Sequence, residues 1–355
     1  MAEHAVLSPP PNRATGPVFA ALDLGTNNCR LLVGTQAGRG FAVLDSFSRI
    51  IRLGEGLECT GRLSQAAMER ALAALAACAA QLSRHALSGF TAVATEACRR
   101  AANGAEFLAH ARAETGIALS VISTREETEL AVESCASLLA PPHAGPPHGA
   151  LADARALLFD IGGGSTELAW LRLDRAGRPR LIGCASIPIG VVTFAERYGA
   201  AAFTRAGFAT MVAEAAALLA PFEAVHCIAR EIRERERNGP GGAVRLLGTS
   251  GTATTLAALA LALPRYSRHL VDGTILSRET ALQGLARLAA LDRGALEQHP
   301  CIGPERAPFA LPGAAIFAAL EQAWPCSRMI VADRGLREGL LLRLIRAHHP
   351  AHPCR

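Results

Sequence analysis

Lysine is absent from this sequence of 355 residues, in which all 36 basic side chains are arginine. A P-loop ATPase needs a lysine that reaches the phosphates, a protein kinase needs a lysine on one of its strands, and a pyridoxal enzyme needs a lysine for its Schiff base. The sequence therefore excludes these three classes. A GC-rich coding bias would also replace lysine by arginine throughout, so the arginine content does not by itself indicate a function.

Aromatic side chains and long apolar segments are also scarce. Phe, Trp and Tyr make up 5% of the residues, and no arginine-rich block is interleaved with them, so we expect no specific nucleic-acid partner. No run of about 18 apolar residues is free of Gly, Thr and charge, so we expect no membrane partner. The net charge of +5 is compatible with small anionic substrates. The sequence neither predicts nor excludes a homodimer.

The ten cysteines include no Cys-x-x-Cys pair, and most lie within apolar runs such as residues 76–79. This distribution is typical of small buried side chains in a reducing compartment, so we expect a cytoplasmic protein. His348, His349, His352 and Cys354 have the types of side chain that bind metals. Their terminal position and the prolines among them favour a frayed tail instead.

The same pattern of strand, turn and strand occurs twice. An apolar run from residue 18 leads to Asp23 and a Gly-Thr-Asn turn, and a second apolar run follows. A run from residue 156 leads to Asp160 and a Gly-Gly-Gly-Ser turn, again followed by an apolar run. Each copy is typical of a β-hairpin, and one repeat without a short period favours two related domains over a solenoid.

Composition suggests where the domains end. Residues 140–154 contain four prolines and two glycines, which predicts a linker or exposed loop. We predict a first domain at 17–136 and a second at 137–334, with a disordered tail at 1–16 and another tail at 347–355.

Glycine-rich turns between strands let backbone N–H groups point at a phosphate with no side chain in the way. One such turn alone is as often only a tight hairpin, but three favour phosphate binding. We therefore predict phosphate-binding residues in three turns: Gly25, Thr26, Asn27 and Asn28; Gly162, Gly163, Gly164 and Ser165; and Gly248, Thr249, Ser250 and Gly251.

Asp23 and Asp160 each end a predicted strand. A carboxylate in that position can hold Mg²⁺ beside phosphate oxygens, or it can cap its own turn, and one residue can do both. Glu127 also has two interpretations. Its spacing from Thr124 is that of a capping box, which would only begin a helix. A carboxylate shielded from water near phosphates would instead bind protons more tightly and could take one from water.

Five further segments accompany the two Asp-Gly turns, at residues 94–99, 122–127, 187–190, 248–252 and 334–339. With them, the chain resembles the exopolyphosphatase and guanosine pentaphosphate phosphatase family, part of the superfamily of actin, sugar kinases and Hsp70. The resemblance implies an α/β fold with two RNase H-like domains, each with a mixed five-stranded sheet, and an interdomain cleft. It also implies a C-terminal helix at about 335–346 that packs back against the first domain. One long helix is expected at 207–232.

The resemblance also implies roles for individual residues. Glu127 matches the family's general base, and Glu167 matches its other catalytic carboxylate. Asp23, Asp160 and Glu167 would hold Mg²⁺, and Arg99 would contact phosphate.

The function implied is Mg²⁺-dependent hydrolysis of the terminal phosphoanhydride of inorganic polyphosphate, which releases orthophosphate. Hydrolysis of guanosine pentaphosphate is the alternative. Residues 248–255 contain no aromatic side chain on which a base would stack, which slightly favours polyphosphate. Two other classes are an actin-like nucleotide-binding assembly protein and a sugar or acid kinase. The chain shows neither a long insertion for the first nor a recognisable acceptor pocket for the second.

Overall fold

The structure is a computed structural model. It describes residues 16–38, 40–139, 154–174, 177–237 and 244–348. The predicted tails at 1–16 and 347–355 and the predicted loop at 140–154 lie outside these ranges, except for their innermost residues.

The first half of the chain forms a mixed sheet that has five strands among the described residues, in the order β3-β2-β1-β4-β5. β1 to β3 form an antiparallel meander, whereas β4 runs parallel to β1 and β5 parallel to β4. The central strand β1 is buried on both faces. The strands are β1 Val18–Leu24, β2 Asn28–Ala37, β3 Gly40–Ile50, β4 Leu87–Ala94 and β5 Ser120–Val121.

The second sheet repeats this order and adds one strand. Its six strands within the described ranges follow the order β10-β11-β9-β6-β7-β8, with β6 to β8 as the antiparallel meander and β9 and β11 parallel to β6. The strands are β6 Arg155–Ile161, β7 Thr166–Leu173, β8 Pro179–Ile187, β9 Arg245–Thr249, β10 Ile275–Ser277 and β11 Arg328–Ala332. The predicted fold of two related α/β halves is therefore confirmed. The expected five strands are wrong for the second sheet, where the three-residue β10 pairs antiparallel with β11.

Helices cover the faces of both sheets. Those of the first half are α1 Leu57–Thr60, α2 Gln65–Leu82, α3 Glu96–Arg100, α4 Gly104–Thr115 and α5 Thr124–Leu139. Those that follow are α6 Val191–Tyr198, α7 Arg205–His226, α8 Ile228–Arg237, α9 Ser250–Ala260, α10 Arg268–Val271, α11 Arg278–Ala289, α12 Arg293–Gln298, α13 Ala307–Ala323 and α14 Leu336–His348, with a 3-10 helix at Gly199–Phe203.

The single helix expected at 207–232 is wrong, because the structure has two helices there, α7 and α8. Cys227 separates them with a left-handed backbone (φ 50°), and its N–H donates to the carbonyl of Glu223 to close α7. Ile228 is then fully buried. The break between the helices therefore lets α8 pack onto the core of the second half.

α7 is the one helix in the described part of the chain that is long and apolar enough to cross a membrane by length and composition. In the structure it packs against α13, and its buried residues Met211, Ala215 and Leu219 belong to the core of the second half. Core helices of globular domains often meet the same criterion.

α5 and α14 lie between the two sheets. Leu130 of α5 packs with the first-sheet residue Phe19 and with Leu340 of α14. Farther along α5, Cys135 and Leu139 pack with residues of the second sheet. α14 thus covers the first sheet, and α5 contacts both. The predicted domain boundary at 136/137 falls inside this helix.

Candidate active site

Two loops of the same design end the central strands β1 and β6. In the first loop, residues 23–28, the Gly25 N–H donates to the carbonyl of Asn28 at 2.9 Å. In the second loop, residues 160–165, the Gly162 N–H donates to the carbonyl of Ser165, also at 2.9 Å. The repeat seen in the sequence is therefore a repeat of one tight turn.

Each loop is braced by the chain that leaves the third strand of its own sheet. After β3, the N–H of Ile51 donates to Asn27 O (2.8 Å) and the N–H of Gly54 donates to Thr26 O (2.9 Å). After β8, N–H groups at the start of α6 donate to the second loop, from Val191 to Gly162 O (3.0 Å) and from Val192 to Gly163 O (2.8 Å). In both loops, backbone carbonyl groups are thus fixed by hydrogen bonds from the segment that follows the third strand.

The loops touch each other. A methyl group added at Gly163 would lie 3.0 Å from Thr26 Cβ and 3.3 Å from Asn27 Cβ, and one added at Gly164 would lie 3.0 Å from Glu96 Cγ. The two halves of the molecule therefore meet closely at this point, with little room for a side chain at Gly163 or Gly164.

A cleft of about 490 Å³ opens beside this contact and is lined from both halves. Most of the predicted site residues line it: Asp23, Gly25, Thr26, Asn27, Asn28, Glu127, Asp160, Gly162, Gly163, Gly164, Ser165, Glu167, Ser250 and Gly251. Three predicted residues, Arg99, Gly248 and Thr249, are not among its lining residues.

Gly248 and Thr249 make contacts within the fold instead of lining the cleft. A methyl group at Gly248 would lie 2.4 Å from the ring of Phe159, and the Thr249 hydroxyl donates to the carbonyl of Arg334. Ser250, with a left-handed backbone (φ 75°), donates its hydroxyl to Ile161 O at 2.5 Å and begins α9. Only the last two residues of this predicted turn therefore reach the cleft.

Asp23 and Asp160 occupy equivalent positions at the ends of β1 and β6, and both are buried. Burial raises the pKa of each carboxyl to about 6, and the nearby Arg30 guanidinium partly opposes the rise. Asp23 Oδ1 and Asn27 Oδ1 are buried without a hydrogen-bond partner in the described part of the chain. Such oxygens suit a cation or its bound water.

The three predicted metal ligands do not form a ready-made cage. Among the residues that the structure describes, no group of three or more His, Cys, Asp or Glu side chains could hold a metal ion by itself. Glu167 Oε1 instead accepts hydrogen bonds from the hydroxyls of Ser165 (2.6 Å) and Ser186 (3.0 Å). Burial raises the pKa of Glu167 to about 7, with the charge of Asp160 adding to the effect.

Glu127 lies at the start of α5 and lines the cleft, with 7% of its surface exposed. Burial raises its pKa well above the usual range, and the charge of Glu167 raises it further. The cap of α5 is formed by Ser123, whose hydroxyl accepts the Glu126 N–H at 3.2 Å. The Glu127 carboxylate faces Arg99 instead of capping the helix.

The chain is similar to known proteins over most of its length. The sequence profile of the Ppx/GppA phosphatase family matches residues 32–348. The chain belongs to this family. Over 335 residues it is 29% identical to the guanosine-5'-triphosphate,3'-diphosphate pyrophosphatase of Aeromonas salmonicida, an alignment that covers 94% of this chain. The chain spans about 60% of the length of that curated relative.

Solved structures resemble this chain over nearly its whole length. An exopolyphosphatase-like protein is 28% identical with a TM-score of 0.74, and 94% of this chain and 98% of that one are covered. The PPX-GPPA enzyme of Aquifex aeolicus is 25% identical with a TM-score of 0.71, and the coverage is 92% and 99%. An exopolyphosphatase from Cytophaga hutchinsonii, 22% identical with a TM-score of 0.77 over 93% and 98% of the chains, has the same fold.

The cleft also has lining residues that the sequence analysis did not predict. Four are cationic, Arg30, Arg49, Arg306 and Arg334, and others are apolar, including Leu288, Ile302 and Phe309. The sequence contained an indication of Arg30, because in the predicted hairpin it is the cross-strand partner of Asp23. The apolar residues reach the cleft through long-range packing of helices, which no local pattern predicts.

Proposed function

We propose that this Ppx/GppA phosphatase hydrolyses the terminal phosphoanhydride bond of inorganic polyphosphate and releases orthophosphate. The observation that carries the proposal is the position of Glu127, a buried carboxylate with a raised pKa that lines the same cleft as both glycine loops. Such a group accepts a proton readily, and the loops offer N–H groups to a polyanion. The family and the names of the relatives support a phosphoanhydride as the substrate.

The phosphate chain would lie in the cleft, beside the point where the two loops touch. Ser250 and Gly251 stand at the N-terminus of α9, where the helix dipole favours anions, and Arg30 adds a cation from the first half. These groups position the chain and neutralise part of its charge. A polyphosphate requires little more than such a polar and basic channel.

Mg²⁺ is the metal we propose, with Asp23, Asp160 and Glu167 as the residues that would hold it. Mg²⁺ is usually bound by one or two carboxylates together with water and substrate phosphates, so it does not require a cage of protein ligands. The unpartnered Asp23 Oδ1 is the kind of oxygen that it prefers. When bound, the ion neutralises charge on the phosphate oxygens.

The protein's own contribution is proton transfer. Glu127 takes a proton from the water that attacks the terminal phosphorus. Its Oε2 accepts two hydrogen bonds from Arg99, which leaves Oε1 for the water. The negative charge of Glu167 strengthens Glu127 as a proton acceptor.

Phosphate release tests the function directly. We would incubate the protein with polyphosphate, guanosine pentaphosphate or ATP, each with Mg²⁺, and measure orthophosphate. We expect release from polyphosphate and little from ATP. Filaments formed with ATP, or transfer of phosphate from ATP to a sugar or an acid, would instead assign the protein to one of the two other classes.

Glu127→Gln tests the proposed base. We expect kcat to fall by a factor of about 10² to 10⁴, because that is the usual contribution of a general base, while the dissociation constant for polyphosphate stays within a few-fold. Glu126→Gln, one residue earlier and half-exposed, is the matched control and should keep near-normal turnover. Normal turnover of Glu127→Gln with only a lower Tm would mean that Glu127 serves the helix.

Guanosine pentaphosphate is the second candidate, and one observation favours it. Leu288, Ile302 and Phe309 add apolar surface to the cleft lining, on which a guanine base would pack, whereas polyphosphate has no apolar part. Comparing kcat/KM for the two substrates at equal Mg²⁺ decides between them. Phe309→Ala should raise KM for the nucleotide alone; an equal effect on polyphosphate would show that the ring does not contact the base.

A further inference from the structure

The guanidinium of Arg99 is fully engaged within the protein. An arginine side chain has five N–H donors, and here there are five hydrogen bonds. Nε and Nη2 donate to Glu96 Oε2 (3.1 and 2.5 Å), Nη1 and Nη2 donate to Glu127 Oε2 (both 3.2 Å), and Nη1 donates to the carbonyl of Ile122 (2.7 Å). No donor is left over for a phosphate.

The surroundings of Arg99 differ from those of Arg30. Arg99 lies behind Glu127, with 21% of its side chain exposed, and does not line the cleft. Arg30 lines the cleft, and no hydrogen bond or salt bridge engages its guanidinium in the described part of the chain. Of the two, Arg30 is therefore the one available to an incoming anion.

We propose that Arg99 is a positioning residue for Glu127 and not a ligand of the substrate phosphate. This inference rests on the proposed function, since it gives Glu127 the role of base. It replaces the phosphate contact that the family resemblance implied for Arg99.

The geometry explains how Arg99 would act. Glu96 and the Ile122 carbonyl hold the guanidinium in one place, whether or not a substrate is bound. The guanidinium then fixes Oε2 of Glu127, so that Oε1 points in a single direction. A glutamate without this clamp would sample several rotamers, and a misplacement of about 1 Å can reduce a rate by about 10².

Steady-state kinetics separate positioning from phosphate binding. We expect Arg99→Ala to lower kcat for polyphosphate by about 10² while KM changes by less than about three-fold. Arg30→Ala is the matched comparison and should raise KM by about ten-fold or more, with a smaller effect on kcat. The proposal is overturned if Arg99→Ala raises KM and leaves kcat near normal.

Coupling to Glu127 gives a second criterion. If Arg99 acts only through Glu127, then adding Arg99→Ala to Glu127→Gln should cause no further loss of kcat. Guanidinium at millimolar concentration should partly restore the activity of Arg99→Ala, because it can occupy the same site. A further ten-fold loss in the double variant would contradict the proposal. Arg99→Lys, which has three donors on one nitrogen, should fall between Ala and wild type, and serves in place of Arg99→Ala if that variant does not fold.

Measurement of equilibrium binding tests the role of Arg99 without relying on catalytic activity. Calorimetry would compare the dissociation constants of Glu127→Gln and of the double variant for polyphosphate. We expect equal values, and a ten-fold weaker affinity of the double variant would sink the idea. If the wild-type protein released no phosphate from either substrate, the proposed function would fail, and the binding comparison would still decide whether Arg99 contacts the anion.

Discussion

The first and second loops share one turn but differ in glycine content. Thr26 and Asn27 in the first loop occupy the positions of Gly163 and Gly164 in the second. The structure explains the difference, because the Thr26 and Asn27 side chains fill the space that a methyl group on Gly163 would need. The additional glycines of one loop therefore make room for the side chains of the other. A glycine-rich turn in a sequence can thus indicate close packing as well as phosphate binding.

The largest effect should come from the bracing of the second loop. A methyl group at Gly190 would lie 2.5 Å from the carbonyl group of Gly163, which is backbone and cannot move aside. The equivalent contact of the first loop, from Gly54, is to the Cγ2 methyl of Thr26 at 2.4 Å, which is part of a side chain. We expect Gly190→Ala to lower the free energy of unfolding by about 3 kcal/mol and to remove most activity, and Gly54→Ala to cost about 1 kcal/mol.

Denaturant unfolding and phosphate release measure both variants. Since Gly190 has an extended backbone (φ −145°) that alanine adopts without strain, a loss of stability would report the steric contact alone. Equal effects at Gly190 and Gly54 would show that the two loops are braced equally firmly.

A smaller effect should come from the paired aspartates. Because the folded-state pKa of Asp23 and Asp160 is raised to about 6, ionisation penalises the folded state, and stability without divalent cation should fall as pH rises from about 4 to about 6. Asp160→Asn should therefore be more stable than wild type at pH 8, by up to about 3 kcal/mol, and gain little at pH 4. Asp23→Asn should behave alike.

Unfolding in EDTA at the two pH values measures this. Similar gains in stability for Asp23→Asn and Asp160→Asn would mean that the two aspartates lie in electrostatically equivalent environments. A gain for one variant alone would show that they do not. Asn variants that gain as much stability at pH 4 as at pH 8 would contradict the stated pKa direction.

The smallest effect should come from Arg197, which forms an ion pair between the two halves. Arg197 of α6 binds Glu58 of the first half and Glu214 of α7, and 35% of its side chain is exposed. Because exposed pairs contribute little, Arg197→Ala should change stability by about 1 kcal/mol or less and leave kcat near normal. Arg125→Ala, which breaks an exposed pair within α5, is the control. A large fall in kcat for Arg197→Ala alone would show that this contact aligns the two loops.

The sequence predicted those parts of the fold and site that depend on local pattern. The repeat of Asp23 and Asp160 indicated the two sheets, and ten of the twelve residues in the three predicted turns line the cleft. The strand β10 was missed because three residues are too few for alternation to be recognised. The end of α7 was missed because a cysteine, and not a glycine, adopts the left-handed conformation there.

The features of the site that the sequence did not indicate depend on long-range contacts. That Arg99 is saturated depends on Glu127, 28 positions away in sequence, and on the Ile122 carbonyl. Phe309 lines the cleft although it lies far along the chain from the 248–255 turn, where an aromatic side chain was sought and not found. Partners of this kind follow from packing and not from local spacing.

The course of α5 has a mechanical consequence. Its first turn is tied by Arg99 to the first half, while Cys135 and Leu139 are embedded in the second. A helix of this length is stiff, so a movement of its C-terminal half would also move Glu127 in its first turn. Rotation of one half against the other would therefore displace that carboxylate or strain its hydrogen bonds to Arg99. The width of the cleft would in this way be coupled to the position of Glu127.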